Sequence, residues 1–318
     1  MKPGELQQYM QRLLDAVEQV IVGKSEVVRM VLTGLFAGGH VLLEDVPGVG
    51  KTMLARSIAR SIKGSFRRIQ FTPDLLPSDV TGSSIYDPQK REFVFRPGPV
   101  FTNVLVADEI NRATPKSQAA LLECMEEFRV TVDGETHTLP RPFFVVATEN
   151  PVELRGTFPL PETQLDRFIM RVDVGYPDPD AEVEMLTRQT LRHPIYDLEP
   201  VLTAQDVVEI QQAVRRVYVD DSIKRYIVNI ANRTRRAKEL TLPASPRASI
   251  SLFRCAQATA AFEGRDYVVP DDVKRVALPV LRHRVVLNPQ YVADGASADT
   301  VIREILEQVP VPMAPVPA

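Results

Sequence analysis

The chain has 318 residues, of which 44% are hydrophobic and 25% charged, and a formal net charge of −3. This length is compatible with two domains, and the near-neutral charge excludes a strong general attraction to nucleic acid or to anionic membranes. Two cysteines cannot build a disulfide framework, no apolar run approaches the roughly 18 residues of a membrane span, and the acidic amphipathic start is unlike a signal peptide, which together predict a cytoplasmic protein without membrane insertion.

The first half of the chain predicts an α/β core. Amphipathic helices are expected over 5–20 and 25–37, the second ending at Gly38-Gly39. Short apolar runs then alternate with helical stretches, a rhythm typical of a parallel sheet covered by helices on both faces. The predicted strands are 40–44, 66–71, 103–109, 142–150 and 167–175, and the predicted helices between them include 52–64 and 115–128.

Two segments interrupt this rhythm and are predicted to be inserted hairpins. The segment 83–95 contains two short strand patterns around a turn. The segment 129–139 alternates around Asp133-Gly134, a dipeptide typical of tight β-hairpins.

After the linker 175–180 the pattern predicts helices only. They are expected over 180–192, 203–217, 221–236, 246–263 and 270–284, with Thr203, Asp220 and Ser245 as N-caps and Pro246 at a first helical position. The predicted organisation is therefore an α/β core over 1–178, a helical domain over 179–308 and a disordered proline-rich tail over 309–318.

The stretch EDVPGVGKTM, residues 44–53, lies between the first strand and the next helix. It matches a phosphate-binding loop, in which Lys51 reaches the β- and γ-phosphates and the Thr52 hydroxyl holds Mg²⁺, except that Asp45 replaces the first glycine. Asp45 is expected to point away from the phosphates and to stiffen the turn. The residues expected to contact the nucleotide are Pro47, Gly48, Val49, Gly50, Lys51, Thr52 and Met53.

Polar residues also end two later strands. Asp108 and Glu109 follow VLVA, at the edge where open α/β sheets bind ligands. Asp108 is expected to complete the Mg²⁺ site and to contact the bound nucleotide, and Glu109 to polarise the attacking water. Asn150 ends the following strand and could orient that water without adding charge.

Two arginines are candidates for phosphate contact. Arg167 precedes the fifth strand, and Arg247 lies in the first turn of a helix. A cation opposes the helix dipole at that position by roughly 0.3–1 kcal/mol, which suggests that Arg247 serves a purpose other than stabilising its helix.

Together these residues resemble the AAA+ ATPases and, within them, the MoxR family. The motifs are IVGK, VPGVGKT, VADEINRA, ATENP, GTFPLPETQLDRF and SPRA, and they span nearly the whole chain. The resemblance implies that Lys51 and Thr52 form the Walker A pair and Asp108 and Glu109 the Walker B pair. It also makes Asn150 sensor 1, Arg167 an arginine finger acting on a neighbouring subunit, Arg247 sensor 2, and Val22 and Gly23 part of an adenine pocket.

The same resemblance implies a homo-hexameric ring that uses ATP and Mg²⁺ to remodel or mature protein complexes, with a partner carrying a von Willebrand factor A domain. Three positions depart from the family pattern: Asp45, and Lys24 and Glu149 where glutamine is common. None of them removes a catalytic group.

Two other functions remain open at this stage. A nucleic-acid motor would need cations near phosphates. The hairpin tip reads Val132-Asp133-Gly134-Glu135, which is acidic and disfavours such binding. A nucleotide-switched scaffold with slow turnover would have no use for Glu109.

Overall fold

The computed structural model describes residues 2–44, 48–150, 156–190, 192–293 and 295–312. Up to residue 178 it contains, in chain order, α1 (Pro3–Glu18), α2 (Ser25–Phe36), β1 (Val41–Glu44), α3 (Lys51–Ser61), β2 (Phe66–Gln70), α4 (Pro77–Thr81), β3 (Gly82–Asp87), β4 (Glu92–Pro97), β5 (Val104–Asp108), α5 (Pro115–Glu127), β6 (Arg129–Val132), β7 (Glu135–Thr138), β8 (Phe144–Glu149), α6 (Glu162–Leu165) and β9 (Met170–Asp173). The remainder contains α7 (Pro179–Arg188), α8 (Ala204–Val214), α9 (Asp221–Thr234), β10 (Leu240–Leu242), α10 (Pro246–Phe262), α11 (Pro270–Leu281), β11 (Val286–Leu287), α12 (Pro289–Ala293) and α13 (Ala298–Gln308).

Five strands form one parallel sheet in the order β2-β5-β8-β1-β9. All five predicted strands are present, and β5 is buried along its whole length, as strands covered by helices on both faces are. This confirms the predicted α/β fold class. The carboxyl ends of β1, β5 and β8 lie side by side, which brings the glycine loop, the acid pair and Asn150 to one edge.

Both predicted hairpins are confirmed. β3 pairs with β4, and β6 pairs with β7 around a turn in which Asp133 and Gly134 both have positive φ, 51° and 84°. The hairpins contact each other where the rings of Phe95 and His137 stack 4.0 Å apart. The two insertions therefore form one unit beside the sheet.

The region after residue 178 is mainly helical, and its predicted caps are confirmed. The side chains of Thr203, Asp220 and Ser245 each accept a backbone N–H hydrogen bond at the start of α8, α9 and α10. The prediction of helices only was wrong, because β10 and β11 form a small antiparallel ribbon. The predicted helices also omitted α13, which packs against α9 and α11.

The first two helices pack against the later helical region, and α2 also packs against the sheet. α1 and α2 both contact α10, and Arg29 on α2 lies 2.5 Å from a carboxylate oxygen of Glu263. Val309 is buried after α13, while residues 313–318 of the predicted tail lie outside the described residues. Within the described residues, no helix combines the length and apolar character needed to cross a bilayer.

Candidate active site

The glycine loop connects β1 to α3. Gly48 and Gly50 adopt φ values of 90° and 88°, in the left-handed region that favours glycine. A Cβ added at either position would meet no atom within 4 Å, so open space lies in front of the loop. Asp45 and Pro47 lie outside the described residues, and the expectations for them stay predictions.

Thr52, Asp108 and Thr148 form a compact group of oxygen atoms beside this loop. The Thr52 hydroxyl donates to Asp108 Oδ2 at 3.3 Å, and the Thr148 hydroxyl donates to Asp108 Oδ1 at 3.2 Å. Asp108 is 6% exposed. A hydroxyl and a carboxylate are the ligands that Mg²⁺ takes together with nucleotide phosphates.

Metal binding by protein residues alone is not supported. The described residues contain no group of three or more His, Cys, Asp or Glu side chains that could hold an ion. Because Mg²⁺ at nucleotide sites keeps most of its ligands from phosphate and water, the pair Thr52 and Asp108 still fits it.

Glu109 has an unusual backbone conformation, with φ 55° and ψ 50°. Its N–H donates to Thr148 Oγ1 at 2.9 Å, which fixes it directly after β5. Its Oε2 accepts hydrogen bonds from Gln70 Nε2 and Arg112 Nη1, both at 2.9 Å. The carboxylate is therefore positioned by two donors that bind one of its two oxygens.

Asn150 completes the polar cavity. It follows β8, is 5% exposed and lies near the loop and the acid pair. The cavity has a volume of ≈ 360 Å³ and is lined by Gly48, Gly50, Lys51, Thr52, Met53, Arg68, Gln70, Asp108, Glu109, Thr148 and Asn150. The structure thus brings together the predicted loop, acid pair and amide, and adds Arg68 and Gln70 from the neighbouring strand.

A second, more apolar cavity of ≈ 480 Å³ adjoins the first and shares Gly48, Gly50 and Met53 with it. Val22 and Val49 line it, as expected for an adenine pocket. Gly23, also expected there, is not among the residues that line this cavity. A Cβ at Gly23 would lie only 2.4 Å from Ala181 Cβ on α7.

The far wall of this apolar cavity was not indicated by the sequence. Its residues come from the segment after β9, and they include Tyr176, Glu182, Met185, Leu186, Gln189 and His193. Only the amphipathic pattern of α7 could have indicated Glu182, Met185 and Leu186, and that pattern does not specify a ligand.

The acidic end of β1 holds a charge cluster that the sequence did not indicate. Glu44 and Glu149 are paired in register on β1 and β8, and Arg171 Nη1 lies 2.7 Å from Glu44 Oε2. Burial and the neighbouring Glu44 raise the pKa of Glu149, and Arg171 partly offsets this. The departure at position 149 thus places a carboxyl group with a raised pKa at the carboxyl end of β8, beside Glu44 of β1.

Arg167 and Arg247 lie together, at the opposite edge of the sheet from the cavity. Arg167 Nε is 3.4 Å from Glu126 Oε2, and Arg247 Nη2 is 2.5 Å from Glu126 Oε1. Both line a separate cavity of ≈ 290 Å³. The expected contact of Arg247 with a γ-phosphate is therefore not available within its own subunit.

Their position is set by pairing at the amino ends of β1 and β9. The Ile169 N–H donates to the carbonyl of His40 at 2.8 Å, just before both strands begin. The strands then run in register from Val41 to Glu44, and each residue advances about 3.3 Å, so the sheet alone separates the two edges by roughly 10 Å.

Asp166 fixes the two arginines beside each other. One of its carboxylate oxygens accepts from Arg284 Nε at 2.7 Å, and the other accepts from Ser245 Oγ, the cap of α10, at 2.9 Å. Arg284 is 4% exposed and also donates to the carbonyl of Phe168 at 2.5 Å. This buried network connects the residue before Arg167 to the helix that carries Arg247.

A glycine loop after β1, an acid pair after β5 and a following helical region define a P-loop nucleotide-binding protein. In agreement, residues 40–170 match the model of the ATPase family associated with various cellular activities (AAA), and residues 232–305 match the AAA lid domain. The chain is 42% identical to Chaperone MoxR1 of Mycobacterium tuberculosis over 95% of this chain and 82% of that protein. The chain belongs to the MoxR family of AAA+ ATPases.

Two further comparisons agree with this assignment. The chain is 52% identical to the uncharacterized protein YeaC of Bacillus subtilis, over 95% of this chain and 94% of YeaC. A crystal structure from Cytophaga hutchinsonii, of a protein named there as a candidate ATPase, superposes with a TM-score of 0.91 at 40% identity and covers 97% of this chain and 96% of that one.

Proposed function

We propose that the protein binds ATP with Mg²⁺ in this two-part cleft and hydrolyses it to ADP and phosphate. The observation that carries the proposal is the group formed by Thr52, Asp108 and Glu109, which faces the glycine loop in one cavity. The apolar cavity beside it suits a purine base, and the polar one suits phosphates.

Each residue has a role that follows from its position. Lys51 starts α3 beside the loop and would bind the β- and γ-phosphates, while Thr52 and Asp108 would hold Mg²⁺, which neutralises charge on the phosphates when bound. Glu109, positioned by Gln70, would accept a proton from the attacking water. Asn150 would orient that water.

Arg167 and Arg247 would act on a neighbouring subunit. Both lie at the edge opposite the glycine loop, and both are partly exposed, at 31% and 50% of the side chain. Arginines placed in this way can stabilise phosphate charge only in another copy, so the active form would be a head-to-tail ring, for which a hexamer is the expected size.

The work done with ATP would be chaperone-like remodelling or maturation of protein complexes. Support comes from the 42% identity with a protein named Chaperone MoxR1 and from the family resemblance, which also suggests a partner with a von Willebrand factor A domain. Fold and site chemistry do not specify the client. The acidic hairpin tip remains an argument against a nucleic-acid motor.

The test of hydrolysis is Glu109→Gln, which removes the proton acceptor and keeps the shape. We expect binding of ATP within threefold of the parent and a hydrolysis rate at least 100-fold lower, a loss typical for a general base. Glu123→Gln, an exposed change on α5, is the control and should behave like the parent. Hydrolysis by Glu109→Gln at the parent rate would contradict the assignment.

A further inference from the structure

The phosphate cavity contains an arginine that no motif predicts. Arg68 lies on β2, at the edge of the sheet, and its Nε is 2.5 Å from Asp108 Oδ2. This is the same carboxylate oxygen that accepts from the Thr52 hydroxyl. The guanidinium therefore contacts a carboxylate oxygen that would help to hold Mg²⁺.

The ion pair between Arg68 and Asp108 contributes little to the stability of the fold. The Arg68 side chain is 51% exposed, and exposed ion pairs stabilise a fold by only about 0–1 kcal/mol. Arg68 extends from an edge strand, on the face opposite its neighbours Arg67 and Ile69. A long side chain held by a half-exposed ion pair and by one hydrogen bond to an exposed residue of its own strand can change partner at little cost.

Arg68 is also connected to the proposed general base. Its Nη2 donates to Gln70 Oε1 at 3.0 Å, and Gln70 Nε2 donates to Glu109 Oε2 at 2.9 Å. Movement of Arg68 would therefore alter the hydrogen bond that Gln70 donates to Glu109.

Arg68 can supply positive charge that the phosphate cavity, in the part of the chain that the structure describes, otherwise has only from Lys51. Among the described residues that line the phosphate cavity, the basic ones are Lys51 and Arg68. Arg167 and Arg247 are held by Glu126 at the other edge and cannot contribute within the same subunit. A transferring phosphoryl group develops charge over three oxygens and is commonly stabilised by more than one cation.

We propose that Arg68 is a further catalytic residue that contacts the terminal phosphate of the nucleotide bound to its own subunit. The inference rests on the proposed function. With Asp108 committed to the metal, the guanidinium loses its carboxylate partner and donates to phosphate oxygens, which it can bind through two parallel hydrogen bonds. ADP lacks the phosphate concerned, so the contact discriminates ATP from ADP.

The test compares nucleotide affinities in a Glu109→Gln background, where ATP persists. Arg68→Gln should weaken Mg-ATP binding at least tenfold and leave Mg-ADP binding within twofold. Arg68→Lys should recover part of the ATP affinity, because it restores the charge without the fork. Arg67→Gln is the matched control, since Arg67 is the adjacent exposed arginine on the other face of β2.

In the parent chain, which retains Glu109, Arg68→Gln should lower kcat for ATP hydrolysis at least tenfold. Equal weakening of ATP and ADP would indicate a structural role and overturn the inference, as would affinities that match Arg67→Gln. If the unsubstituted chain neither binds nor hydrolyses ATP, the proposed function itself fails. If it does both and Arg68→Gln behaves like the control, only this inference fails.

Discussion

Arg247 and Glu126 form an ion pair across the helical region and the α/β core, with Nη2 2.5 Å from Oε1. The second oxygen of the same carboxylate contacts Arg167. One acid therefore holds both of the arginines that we assign to a neighbour's nucleotide. In the isolated chain, Glu126 is thus an anion that both arginines contact and would have to release before binding a neighbour's phosphate.

Removing this internal anion should favour assembly. The pair is partly exposed and stabilises the chain by up to about 1 kcal/mol, so its loss should leave folding nearly unchanged. We expect Glu126→Gln to lower the subunit concentration at half-maximal ATPase by up to about fivefold, because the arginines no longer exchange Glu126 for phosphate. The measurement is specific activity against protein concentration.

The control for this prediction is Glu127→Gln. Glu127 is the next residue and pairs with Arg129, 2.8 Å away on the hairpin, so its loss removes equal charge without touching Arg167 or Arg247. A half-maximal concentration for Glu126→Gln that equals or exceeds that of Glu127→Gln would be evidence against a competing role.

Glu149 makes stability depend on pH. Burial and Glu44 raise the pKa of Glu149 above its ordinary 4.5, so the folded chain holds this proton more tightly than the unfolded chain. Its contribution to stability is therefore largest at low pH and is lost as pH rises from about 4.5 through the raised value. Glu149→Gln should stabilise the protein at pH 7.5 by on the order of 1 kcal/mol.

Urea unfolding at pH 7.5 and at pH 5.0 checks the sign. The gain in free energy of unfolding from Glu149→Gln should be smaller at pH 5.0, because a larger fraction of Glu149 is protonated in the folded parent chain at that pH. Glu307→Gln, an exposed change on α13, should show no such difference. A gain that is equal at both pH values, or larger at pH 5.0, would rule out the buried carboxylate as its cause.

The sheet and the centre of the site could be predicted because their signals are local. Apolar runs indicated β1, β5 and β8, and each functional group follows its strand directly. The partners from other strands could not be predicted in this way. Gln70 reaches Glu109 because β2 pairs with β5, with Gln70 opposite Asp108, and that register joins positions about forty residues apart.

The roles of Arg167 and Arg247 could be predicted only in part. The family resemblance implied that Arg167 acts on a neighbouring subunit. It did not indicate which subunit's phosphate Arg247 contacts, because that depends on how α10 packs against the core through Asp166 and Ser245. The ribbon of β10 and β11 escaped prediction for a related reason: each strand is too short to show alternation, and the two are paired only in the folded chain.

The measurement that tests the central claim most directly is a mixing experiment with two inactive variants. Lys51→Ala removes the loop lysine, and Arg167→Ala removes the arginine at the other edge. Each alone should hydrolyse ATP at least about 1,000-fold more slowly than the parent, which for Arg167→Ala is the lower end of the range that an arginine finger supplies. Mixed in equal amounts, they should regain activity well above the sum of the two, because some interfaces then join an intact loop to an intact Arg167. Activity in the mixture equal to that sum would contradict a site shared between subunits.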